Sequence, residues 1–383
     1  MSEFLHETPV TFSIGTKVVM GIGSLAALPS EIVRLNGTRA AIVADRGVAA
    51  SGLLDDIVHG VDPSTISVRL LIDPDPDAAT AENAARAARA SNCDLVIAVG
   101  GGSALGAAKA VAIRLTNWQE IAYFEGLDEA PNEPAPTIAI PTTAGSGSEV
   151  SKVLVLHEAG RDAEMVIRLE GEQPRVAILD GTVLRKLPRR PMLYAGLDAL
   201  SHCLESLWAQ RSTMFTAGLA KEAAMGLLNH LPGAIAGVAN GSNAYGDNDA
   251  TLQALLEASA AANMACGNSG LALVHALSAA PSVHLPHGLQ NGILLPHVAR
   301  FNEAVADTDA CEIAAGLPDL YENVSFDPSF PAGTAGTGLV KAMVKASANH
   351  PFRRNNRRPS SDDDLLELLK SIPVQSGAGR FDG

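Results

Sequence analysis

Residues 95–110 read LVIAVGGGSALGAAKA, and this stretch decides the fold class. Leu95 to Val99 form a short apolar run with β-branched side chains, which predicts a buried strand. Gly100, Gly101 and Gly102 follow at once, and after Ser103 the composition turns to Ala, Leu and Lys, good helix formers. Strand, glycine turn and helix in immediate succession are the repeating step of a parallel α/β sheet. The glycines let the backbone approach an anion, while Ser103 is placed to cap a helix whose N-terminal N–H groups favour negative charge. The same residues also serve a plain tight turn with no ligand. The spacing departs from G-x-G-x-x-G, because Leu105 stands where the third glycine would be and Gly106 comes one later.

Outward from this unit, further short apolar runs predict strands at Arg39 to Ala44, Ser67 to Ile72, Thr137 to Ile140 and Arg175 to Leu179. Ala78 to Ala90 predicts a helix between two of them. After Pro188 and Pro191 strand-like runs almost vanish, and Ala/Leu segments dominate through about Ala346. The expected organisation is an N-terminal Rossmann-like α/β dinucleotide-binding domain with a parallel sheet, residues 1–182, and an all-α domain, residues 183–383. Pro318 to Gly338 reads as loop, and Ser361 before three Asp and LLELLK reads as the N-cap of a terminal helix.

Ile140 closes a predicted strand and opens into PTTAGSGSEVS, residues 141–151, a loop of small hydroxyl side chains and two glycines. With Gly100 to Ser103, two such loops at strand ends suit a dinucleotide across the carboxyl edge of a sheet. Asp45 closes AAIVAD, where a carboxylate serves either a ribose diol or an Asx turn before Gly47.

A chain of 383 residues has room for two cores, and its net charge of −14 excludes a nucleic-acid binder. The one basic cluster, Arg353, Arg354, Arg357 and Arg358, is flanked by Asp362 to Asp364 and reads as a solvated turn. Cys93, Cys203, Cys266 and Cys311 form no C-x-x-C pair, and MSEFLHETPVTF has no secretory character, so a reducing, cytoplasmic setting is expected. No apolar run approaches the roughly 18 to 20 residues of a membrane span.

The segment from about Pro191 to Gln210 predicts a helix with Leu193, Leu197, Leu200, Leu204 and Leu207 on one side. Its other side carries Ala195, Asp198, Ala199, His202, Glu205 and Ser206. The i,i+4 spacing lets Asp198 and His202 reach a common point, although such a pair on a solvated face needs no metal. Only ten histidines occur, yet His275, His284, His287 and His297 fall within 23 residues. His275 lies in a helical run, and the Pro286–His287–Gly288 turn is placed to bring His287 back toward it. One carboxylate with up to three imidazoles suits Fe²⁺ or Zn²⁺. Metal and dinucleotide together imply hydride transfer between a nicotinamide and an alcohol or carbonyl held by the metal.

At GGGSALGAAKA, PTTAGSGSEVS, AGLDALSHCLES and LVHALSAAPSVHLPHGLQNGILLPHVARFN the chain resembles the iron-containing alcohol dehydrogenases, whose fold is shared with glycerol dehydrogenase and dehydroquinate synthase. Position by position, the resemblance implies that Asp198, His202, His275 and His287 are the metal ligands. It places Gly101, Gly102 and Ser103 at the diphosphate and Thr142, Thr143, Ser146 and Ser151 along the cofactor, and gives Asp45 the role of favouring NAD over NADP. It further implies a small alcohol or aldehyde substrate and a homodimer, with no nucleic-acid or membrane partner.

Four departures stand out. Gly106 replaces the Asp of GGGSxxDxAK, as in maleylacetate reductases, which raises the alternative of reducing an oxo acid or activated double bond. Glu164 falls where many relatives carry a cofactor-side Lys. The interval from His275 to His287 is shorter than usual. Ala279 occupies the place of another active-site His, and His284 is the candidate proton relay in its stead. A non-catalytic dimeric relative with a degenerate site is the alternative of another class.

Overall fold

A computed structural model describes residues 9–158, 164–280, 283, 285–333 and 337–375. The five predicted strands appear within a residue or so of their expected bounds, as β2 (Ala40–Asp45), β3 (Ile66–Ile72), β4 (Leu95–Gly100), β5 (Thr137–Pro141) and β8 (Val176–Leu179). β1 (Lys17–Met20) joins them, and all pair in parallel in the order β1-β8-β5-β4-β2-β3. The strands inside the sheet are buried along nearly their whole length, as β-branched runs covered on both faces must be. A separate antiparallel ribbon pairs β6 (Val153–Leu156) with β7 (Met165–Arg168).

Register places the functional loops side by side. Ala44 pairs with Val99, and Gly100 pairs with Pro141, so Asp45, Gly101 and Thr142 leave the sheet at one carboxyl edge. Helices Ala78–Ala90 and Gly102–Thr116 cover the sheet through small side chains, Ala84, Ala85, Ala88, Ala107, Ala108 and Ala112, packed on Ala41, Val43, Val96 and Ala98. Low side-chain volume lets helices and strands approach closely, and fills a core with little aromatic content.

The chain forms two compact units: one holds Ile14–Arg189 and Gly237–Ala260, the other Arg190–Ala236, Ala261 onward and the residues before Ile14. This differs from the expected division at 182/183, most of all in returning 237–260 to the α/β unit. The reason lies at the end of β8. Gln253 accepts from the Gly181 N–H at 2.6 Å and donates to the Leu179 carbonyl at 2.9 Å, while Arg185 pairs with Asp249. Leu317–Asn323 and the start of Thr337–Ser347 are helical, which corrects the reading of Pro318 to Gly338 as loop throughout. Asp362–Ser371 is the expected terminal helix, with a capping box between Ser361 and Asp364. Among the described residues no helix is long and apolar enough to cross a membrane.

Candidate functional site

In the helical unit, Arg189–Trp208 forms a 20-residue helix that is buried on both sides from Gly196 to Trp208. The polar side is therefore no solvated face. Asp198 and His202 are buried one turn apart, and Glu205 is fully buried beyond them. Two further helices converge on this side: Leu273–Ser278 brings His275, and His287–Asn302 begins at His287. Close approach is built in at Gly288, where an added Cβ would lie 2.1 Å from the Tyr194 carbonyl oxygen. Any larger residue there would push His287 away from Asp198.

The four predicted ligands meet. Asp198 Oδ1 lies 3.6 Å from His202 Nε2, 3.4 Å from His275 Nε2 and 3.7 Å from His287 Nε2, and the first two imidazole nitrogens are 3.2 Å apart. A tetrahedral ion with bonds of about 2.1 Å separates its ligands by roughly 3.4 Å, close to each of these four separations. Asp198, His275 and His287 form the tightest group, each offering a ligand atom within 4.8 Å of the other two. Imidazole nitrogens and a carboxylate facing one another in a buried place are a convergence that a cation satisfies. The His287 side chain is 54% exposed, so the cluster opens on that side.

At Asp198 and His202 charge agrees with this arrangement. Burial alone would raise Asp198, but His202, His275 and His287 hold its carboxyl far below the usual range. Burial lowers His202 to about 4 and keeps it neutral. Burial also opposes charge on His275, yet Glu205 and Asp198 outweigh it and raise this imidazole to about 10, so a cation bound at its Nε2 would displace a proton.

Two residues of the cluster carry no role in the sequence reading. The Asn291 amide donates to Asp198 Oδ1 at 2.7 Å and lies 3.2 and 3.1 Å from the Nε2 atoms of His275 and His287. Glu205 faces His275 with both carboxylate oxygens. Spacing offered a signal for each: Asn291 is four residues after His287, and Glu205 three after His202, on the same helix faces. His284, the expected proton relay, lies outside the described residues. Glu164 is exposed, just ahead of β7.

In the α/β unit, Gly100 at the end of β4 has φ +149°, and an added Cβ would lie 2.7 Å from that of Ala104. Only glycine suits that turn. Gly101 lies against the Thr143 side chain and Gly102 against Ser146, so the two loops face each other. The helix Gly102–Thr116 has Gly101 as its N-cap with no side-chain cap, leaving its first N–H groups for an anion. This corrects Ser103, which sits inside the first turn and accepts from the Asp75 N–H at 3.1 Å instead of capping. Thr142 is buried and donates its N–H to the Gly100 carbonyl at 3.0 Å. Ser151 accepts from the Val153 N–H through Oγ at 3.1 Å. Asp45 Oδ1 accepts from the Gly47 and Val48 N–H groups at 2.7 and 3.1 Å, so the Asx turn is present.

Lys109, on the same helix, is wholly buried and donates to the carbonyls of Ser151 and Val153 at 2.6 and 2.8 Å, fastening the far end of the 141–151 loop. The sequence reading assigned it nothing, though a lysine inside GAAKAVAI was a visible anomaly.

Residues 15–181 match the family model for iron-containing alcohol dehydrogenase, and residues 192–322 match the Fe-containing alcohol dehydrogenase family, C-terminal model. The chain is 33% identical to the 1-propanol dehydrogenase PduQ of Citrobacter freundii, over 94% of this chain and 99% of that one. It is 27% identical to the NAD-dependent methanol dehydrogenase of Bacillus methanolicus, over 94% and 99%. The crystal structure of sulfoacetaldehyde reductase from Bifidobacterium kashiwanohense in complex with NAD⁺ superposes with a TM-score of 0.85 at 25% identity, covering 95% of this chain and 99% of that one.

Proposed function

Because the chain belongs to the iron-containing alcohol dehydrogenase family and is thus an oxidoreductase, we propose that it interconverts a small alcohol and its carbonyl compound with NAD(H), using Fe²⁺ or Zn²⁺. The observation that carries this reading is the gathering of three imidazole Nε2 atoms, from three helices, at 3.4 to 3.7 Å from one Asp198 carboxylate oxygen. Asp198, His202, His275 and His287 would hold the cation. Bound there, it supplies Lewis-acid polarisation of a carbonyl oxygen.

The chain's own residues supply the rest. Asp198 stays ionised and His202 neutral, the forms a cation requires. The uncapped helix N-terminus at Gly101 to Ser103 offers N–H groups to a diphosphate, and Thr142, Thr143, Ser146 and Ser151 line the facing loop. The Asp45 carboxylate repels a 2′-phosphate, which favours NAD over NADP. The four cysteines are free, which suits a reducing compartment such as the cytoplasm, and a homodimer is the working form proposed with it.

A complete donor set weighs against a degenerate, non-catalytic relative. The maleylacetate-reductase-like alternative rests on Gly106, where a Cβ would sit 3.5 Å from the Val155 carbonyl and so is sterically tolerated. The test is NADH oxidation by metal-reconstituted protein with a panel of short aldehydes and with maleylacetate, beside His275→Ala. Turnover of aldehydes by the wild type alone, with NADH binding retained in the variant, is expected. Equal turnover in both proteins, or turnover of maleylacetate only, would overturn the reading.

A further inference from the structure

Glu205 is fully buried on the Arg189–Trp208 helix, and both hydrogen bonds it makes among the described residues go to one partner. Its Oε1 accepts the His275 backbone N–H at 3.2 Å, and its Oε2 is in short contact with His275 Nδ1. The opposite ring nitrogen, Nε2, is the atom that faces Asp198 Oδ1 at 3.4 Å and His202 Nε2 at 3.2 Å. An ionised carboxylate only accepts, so a proton belongs on Nδ1, and Nε2 keeps the lone pair that a cation needs.

Packing does not explain a carboxylate here. A charge buried in the core is costly without a partner, and Leu or Gln would fill the same space. His202 makes the contrast: its Nδ1 is buried with no hydrogen-bond partner among the described residues, whereas His275 faces a dedicated anion.

We propose that Glu205 is a positioning residue that locks His275 in the Nδ1–H tautomer and so presents Nε2 as a cation ligand. This rests on the cation site proposed above. Glu205→Gln keeps the shape and removes the charge. Its amide cannot accept from both the backbone N–H and Nδ1–H, and an NH₂ group turned toward Nδ1 favours the tautomer protonated on Nε2.

Zn²⁺ affinity, measured by competition with a chromogenic chelator, should fall about 10- to 100-fold in Glu205→Gln, while NADH affinity stays at the wild-type value. Equal Zn²⁺ affinity in the two proteins would overturn the role of Glu205 and leave the site standing. A wild type that binds no Zn²⁺ would overturn the site and this role together. Should the variant fail to fold, Zn²⁺-loaded wild type labelled with ¹⁵N-histidine decides the matter. A downfield proton coupled to His275 Nδ1 is expected, and a proton on Nε2 with Nδ1 on the metal would refute the role.

Discussion

The buried polar cluster around Lys109 in the α/β unit and the one around Asp198 in the helical unit differ in which charge is missing. In the α/β unit Lys109 brings its own cation, gives hydrogen bonds to the Ser151 and Val153 carbonyls, and lies near Glu149 and Glu172. Burial lowers Lys109 to about 8 and raises Glu149 to about 7 and Glu172 well above its usual range, so the group settles its charge internally. In the helical unit a carboxylate and three imidazoles converge with an asparagine amide as the one neutral donor at their centre. A cluster that supplies its own cation is a fastening, and one that converges a carboxylate and imidazoles on a point is, on the reading proposed above, a place for a cation.

The largest effect should come from removing a ligand. Asp198→Ala is expected to lose turnover by 10³-fold or more, the order of several kcal/mol that Lewis-acid assistance contributes, while thermal melts still show NADH stabilising the fold. Unchanged turnover would place the fastening and the metal cluster in the same structural class.

Next comes Lys109→Met, which leaves two carbonyls and two acids in the core without their cation. A loss of about 3–5 kcal/mol in urea unfolding is expected, together with weaker NADH binding and unchanged metal content. A stable variant with full NADH affinity would contradict the fastening.

The pH dependence of the same residues gives a smaller effect with a definite sign. Lys109 deprotonates near 8 in the folded chain and near 10.5 unfolded, so the native state binds fewer protons in that window. Its contribution to stability therefore rises with pH from 8 to 10.5, and Lys109→Met should remove the rise. Glu149 works the other way at lower pH: folded near 7 and unfolded near 4.5, it keeps its proton in the native state, and stability falls across that interval as pH rises. Urea melts at a series of pH values, wild type against variant, read both slopes.

The smallest expected change is Asn291→Ala, which takes away one hydrogen bond to Asp198. Metal affinity should drop by about tenfold, with NADH affinity constant. A loss as large as that of Asp198→Ala would mean that Asn291 does more than orient a ligand.

How much of this was legible follows from what each residue pattern encodes. Buried strands advertise themselves as apolar runs, so β2, β3, β4, β5 and β8 were readable. β1, β6 and β7 have four residues each and lie at an edge or in a separate ribbon, where alternation is too short to register. The return of 237–260 to the α/β unit depends on Gln253 reaching Gly181 and Leu179, and an Ala-rich helix does not announce which sheet it covers. Helical spacing put Asp198, His202 and Glu205 on one face, yet whether that face met solvent or two other helices was a tertiary matter. Gly288 turned out to serve close packing against Tyr194. Ser103 looked like a cap because hydroxyls usually cap, but the helix begins one residue earlier and Asp75 takes its oxygen.

On the proposed reading, Asp198, His202, His275 and His287 hold one cation. Anomalous diffraction at the iron and zinc edges, from crystals of protein reconstituted with each metal, decides whether they do. One peak per chain is expected, about 2.0–2.2 Å from the Nε2 atoms of His202, His275 and His287 and from an Asp198 oxygen. Crystals with no peak there, or with the metal bound elsewhere, would contradict it.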